Sequence, residues 1–176
     1  MPDEPQRYNL APSIEDKDIY KVALDTRNFE ISLFWQRSNY FLVLNSALAL
    51  GFFNLPKLEY AFPLALFGFF VSALWLRVNL GSKFWQSRWE QRLSEIERKI
   101  SPDLQFFAAD WSTIQSDVEK SIKKNNHQGW FRRWLDNQVL KKPSVSYNMT
   151  VLSIVFCVGW WVLAVIKFLS HRGVFG

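Results

Sequence analysis

The chain has 176 residues, a formal net charge of +5, 49% apolar and 17% aromatic residues, and nine Trp. That length suits one domain and leaves no room for a large separate enzyme beside membrane spans. A lone cysteine, Cys157, excludes an internal disulfide and a cysteine-built zinc cluster.

The elements follow in chain order. Residues 1–12 are polar, with three prolines and no apolar core, and read as a flexible arm. Ser13 has the features of a helix N-cap, followed by Glu15, Asp16 and Asp18 in the first turn. Ile19, Val22, Ala23, Phe29, Leu33 and Phe34 then recur at helical spacing. No Gly or Pro intervenes before Gly51, and the 19 residues from Ser38 to Pro56 are uncharged. The pattern predicts one helix over 13–54, cytosolic in its first half and membrane-spanning over about 38–55. Asn54-Leu55-Pro56-Lys57 is a turn.

A second helix is expected over 59–100. The 23 residues from Tyr60 to Ser82 contain one charge, Arg77, and are enough to cross ~30 Å of hydrocarbon. From Lys83 to Lys99 the composition turns strongly charged, so this helix leaves the bilayer near Gly81 and continues into water. Residues 101–129 predict further cytosolic helices, with Leu104, Phe107, Trp111, Ile114, Val118 and Ile122 as an apolar stripe. Residues 130–142 form a basic, aromatic juxtamembrane helix, in which Arg132, Arg133, Lys141 and Lys142 are placed to meet lipid headgroups. A third span is expected over 146–169, drawn mainly from the 24 uncharged residues between Lys142 and Lys167.

Orientation follows from Lys and Arg counts. Residues 81–148 carry twelve and residues 1–37 carry five, against only Lys57 in the turn and Lys167 and Arg172 near the end. The positive-inside rule puts the N-terminus and the body between spans two and three in the cytoplasm, and the C-terminus outside. The fold class expected is an all-α, three-span membrane protein with a small cytosolic body. Its basic balance fits this membrane bias better than nucleic-acid binding.

No catalytic constellation stands out. There is no glycine-rich phosphate loop, no His-Glu-x-x-His and no Gly-x-Ser-x-Gly. The two histidines, His127 and His171, fall in a loop and in the tail. The expectation is no enzyme, no cofactor and no metal. More telling are Asn39, Asn45 and Ser46 within the first span. They either line a wet passage or bond within the hairpin, since an amide facing lipid is costly. Arg77 either snorkels to headgroups or serves a pathway.

Two blocks flank the hairpin at its cytosolic boundary. Asp25-Thr26-Arg27-Asn28-Phe29-Glu30 precedes Phe34-Trp35-Gln36-Arg37-Ser38-Asn39-Tyr40-Phe41, and Asn79-Leu80-Gly81-Ser82-Lys83-Phe84-Trp85-Gln86-Ser87-Arg88-Trp89-Glu90 lies opposite. These resemble the signature of the RipA-like octameric membrane proteins, over Ile19 to Ile100. That family includes a membrane-pore accessory protein of type VI-B CRISPR systems, which strengthens antiphage defence, and a bacterial inner-membrane protein required for growth inside host cells. The resemblance implies a ring of eight subunits around a central passage in the inner membrane. The aromatic and charged boundary residues Arg27, Trp35, Arg37, Arg77, Trp85, Arg88 and Trp89 are the candidates for subunit contacts. A non-conducting scaffold that recruits a cytosolic protein is the alternative.

Overall fold

The computed structural model describes residues 16–54, 58–101, 103–124, 129–141 and 144–172. Among them the protein is all helical. Helix α1 is Asp16–Asn54, a single 3-10 turn covers Leu58–Tyr60, and α2 is Ala61–Ile100. Then come α3, Trp111–Lys124, α4, Trp130–Leu140, and α5, Val145–His171. The expected arm 1–12, the cap at Ser13, most of the turn at 54–57, most of the loop around His127, and Lys142 lie outside the described residues.

Helices α1 and α2, 39 and 40 residues long, form a hairpin of about 60 Å at ~1.5 Å per residue. Its register is antiparallel: Arg27 lies against Glu90, Asn45 against Ser72 and Gly51 against Leu64. Pro63 falls in the first turn of α2, where no helical hydrogen bond is lost. Gly81 stays helical on an open face, so the switch from apolar to charged residues occurs without a break. Helix α2 also packs along α5 and is the central member of a three-helix unit. Ser144 caps α5, its hydroxyl accepting from the Tyr147 N–H at 3.3 Å.

The buried residues explain why these helices meet. On α2 they include Ala61, Ala65, Gly68, Ser72, Trp75, Asn79, Ser82 and Gln86, alternating four and three apart. Phe34, Ser38, Asn45 and Phe52 on α1, and Ser153, Trp160 and Ala164 on α5, keep the same heptad step. That is a coiled-coil seam built from small and polar side chains, which suits close packing where lipid competes with any purely apolar surface. At one end of the unit the seam is apolar, with Phe52, Ala61, Ala65, Trp160 and Ala164 in one cluster.

Helices α2 and α5 are each long and apolar enough to cross a membrane. Helix α1 does not reach the same apolarity, because Asn39, Asn45, Ser46 and Asn54 interrupt its second half.

The structure differs from expectation after α2. Leu104 and Phe107 do not extend a helical stripe; residues 103–110 are irregular and α3 begins at Trp111. The cause is Glu97. Its fully buried carboxylate accepts the N–H groups of Phe106, Phe107 and Ala108 at 2.8, 2.7 and 2.8 Å. Gln105, at φ 49°, turns the chain so that the three amides converge. Amides held by a carboxylate are unavailable to a helix.

Candidate functional site: a polar column inside the three-helix unit

The polar side chains of the seam form a column. Asn45 is 0% exposed; its Oδ1 accepts from Ser72 Oγ at 2.8 Å and Trp160 Nε1 at 2.9 Å, while Nδ2 donates to the Phe41 carbonyl at 2.9 Å. One amide thus ties all three helices together. Trp160 reaches it because α2 carries Gly68 where the indole passes: a Cβ there would lie 2.4 Å from Trp160 Cδ2. Phe41 stacks on Trp75 at 6.1 Å, and Trp75 meets Phe156 at 5.9 Å.

Two turns along α2, Asn79 Nδ2 donates to the Met149 carbonyl at 3.1 Å and Ser153 Oγ at 3.4 Å. Beyond it, Ser146 Oγ donates to Gln86 Oε1 at 3.0 Å. Ser38 and Ser82 hydroxyls, the Trp75 indole N–H and Asn79 Oδ1 are buried in the same stretch without a protein partner. The column is uncharged and closed at one end by the apolar cluster around Phe52. Its bonds run from helix to helix and so fix their register.

This placement separates the three candidates. Asn45 takes the bonding alternative, to Ser72 and Trp160 within the three-helix unit, whereas Asn39 and Ser46 are exposed. The physical reason is the heptad step from Ser38 to Asn45 to Phe52, which carries Asn45 into the seam. Ser46 satisfies its own hydroxyl on the Leu42 carbonyl at 2.8 Å.

The boundary candidates separate into two sets. Arg27 is engaged inside the subunit, 3.6 Å from Glu90 and with its guanidinium 5.3 Å from the Phe107 ring centre. Trp89 is half-buried beside Ile19, Val22 and Ile96 in the groove between the charged halves of α1 and α2, and Arg37 is also half-buried. Trp35, Arg77, Trp85 and Arg88 are exposed, with Arg88 lying over the Trp85 ring at 5.5 Å. On α4 no residue is buried; Arg132, Arg133 and Lys141 are exposed together with Trp130, Phe131 and Trp134.

Sequence reasoning missed Gly68, Trp160 and Glu97. The alternating spacing of Ala61, Ala65, Gly68 and Ser72 was the signal for the first two, since small residues at that step let helix backbones approach closely. Nothing local distinguishes Glu97 from the other acids of its helix.

With the geometry in place, comparison with known proteins adds one result. The model of the octameric membrane protein family (8xMP) matches residues 17–169, from the first turn of α1 to the end of α5. The chain belongs to the octameric membrane protein family. Neither a curated protein nor a solved structure matches it. Among the described residues, no three His, Cys, Asp or Glu side chains gather as a metal site requires.

Proposed function

We propose that the chain assembles into a non-enzymatic membrane passage: a homo-octameric ring in the bacterial inner membrane acting as a pore or permeability effector. In this reading α1, α2 and α5 all cross the bilayer, and the N-terminus is cytoplasmic. The setting is antiphage defence or growth within a host. The observation that carries the reading is bare apolar surface on the charged halves of the hairpin, beyond its apolar runs. Phe29 is 61% and Phe84 64% exposed there, and Val22 and Trp85 are bare beside them. Such surface at the edge of a membrane unit marks a contact between copies.

Asn39 and Ser46, seven apart and outward-facing, are the α1 residues placed to meet water at the ring's axis. Purified oligomer in planar bilayers should give reproducible unitary conductance. Ser46→Asp should raise cation over anion permeability, because it sets one carboxylate per subunit into a ring. Unchanged selectivity in an intact Ser46→Asp oligomer would remove that face from the passage.

The second reading, a non-conducting scaffold, is favoured by α4, whose apolar side is bare: Trp130 is 81% exposed. That helix would recruit a cytosolic protein or rest on headgroups through Arg132, Arg133 and Lys141. Silence from a verified oligomer would select it.

A further inference from the structure

Where α5 begins, a cleft of about 980 Å³ lies between it, the hairpin and the segment folded onto Glu97. Its polar wall carries Arg27 and Lys83, with the first turn of α5 at Ser144–Tyr147. Its other wall is apolar, with Phe34 and Trp35. Glu90 also lines it, but that carboxylate already faces Arg27 at 3.6 Å.

Three features of the cleft favour an anion. Arg27 Nε is buried and has no hydrogen-bond partner, although a guanidinium N–H is a strong donor and costly to leave unpaired. Lys83 is exposed at the rim with no ion pair to a described acid. The first amides of a helix have no intrahelical acceptor and carry the positive end of its dipole, here for a helix of 27 residues; the Ser144 hydroxyl takes that of Tyr147, which leaves those of Val145 and Ser146. Each donates, and none can accept.

We propose that this cleft binds a phosphate ester, its phosphate held between Arg27, Lys83 and the opening turn of α5. The source the surroundings favour is an anionic phospholipid. The cleft sits where α5 passes from Ser144 into its apolar run, so a headgroup there leaves its acyl chains beside Trp35 and Phe34. The inference rests on α2 and α5 crossing a membrane and not on conduction, so a silent oligomer leaves it standing.

The test uses the full-length oligomer in detergent and native mass spectrometry, with two probes titrated separately: phosphatidylglycerol and sn-glycerol 3-phosphate. Lys83→Gln alters an exposed side chain and should leave folding intact; Arg27→Lys keeps the charge facing Glu90 but removes the guanidinium. Wild type should retain phosphatidylglycerol in preference to phosphatidylcholine. Both variants should weaken that retention roughly tenfold, and Arg98→Gln, outside the cleft, should not. Loss confined to the glycerol phosphate titration would support the same site with a soluble ester as its source. Equal retention of both probes by wild type and by both variants, as intact oligomers, would overturn the proposal, as would binding of neither probe by wild type.

Discussion

Glu97→Gln should release the segment from Ser101 to Asp110 and lower the stability of this charged end of the hairpin by ~3 kcal/mol or more. The wild-type carboxylate accepts three amides within 2.8 Å while fully buried. A carboxamide keeps one accepting oxygen and turns an NH₂ toward the remaining donors, so one or two charge-assisted bonds of ~1.5–3 kcal/mol each are lost and their amides stay buried and unpaired. Limited chymotrypsin digestion in membranes reads the outcome, because Leu104 and Phe106 are already exposed and need only a loosened backbone to be cut. Cleavage there should accelerate well over tenfold in the variant. An unchanged digestion rate would show that the carboxylate does not hold the segment.

The same substitution carries a pH signature. Burial holds the Tyr20 phenol above its ordinary value of 10.0, and the negative charge of Glu97 raises it further. Removing that charge deletes the second cause and leaves the first, so Tyr20 should ionise at lower pH in Glu97→Gln than in wild type. An unchanged titration would mean that the phenol and the carboxylate are not neighbours.

Gly68→Ala should be the most damaging single methyl in the membrane unit. The new Cβ would sit 2.4, 2.6 and 2.8 Å from three atoms of the Trp160 indole, itself only 4% exposed, so the ring has nowhere to yield without parting α2 from α5. Overpacking of this kind costs ~1–3 kcal/mol. Displacing the indole also breaks its bond to Asn45 and its edge contact with Phe52, whose ring centre is 5.8 Å away. Asn45→Leu should cost less than Asn45→Asp: the first leaves Ser72 and Trp160 unpaired, while the second buries a charge in the seam. Thermal unfolding of the detergent-solubilised oligomer ranks all three. Wild-type stability in Gly68→Ala would show that Trp160 does not pass over Gly68. A stable Asn45→Asp would show that the amide meets water.

How far the fold can be read from the sequence differs from helix to helix. The run from Ser13 to Leu50, free of Gly and Pro, and the shift from apolar to charged residues beyond Gly81 both announce long helices, since composition and the lack of breakers act locally. The inward turn of Asn45 was less legible. Asn39, Asn45 and Ser46 are neighbours in sequence, and only the heptad phase shared with Ser38 and Phe52 decides which of them enters the seam. The irregular segment at 103–110 was not legible at all. Leu104, Phe107 and Trp111 carry helical spacing, and the preference is overridden by one carboxylate on the preceding helix, a tertiary effect that no local pattern records. Pairing of Arg27 with Glu90 needs the hairpin register, which follows once both helices are placed.

The central claim is that the three-helix unit is one subunit of a closed ring in a membrane, its bare aromatic boundary covered by identical copies. Mass photometry of the protein reconstituted in lipid nanodiscs tests this most directly. The account predicts a single population whose protein mass is eight times the 20.8 kDa chain. A population of single chains, stable and inserted in the same discs, would contradict it.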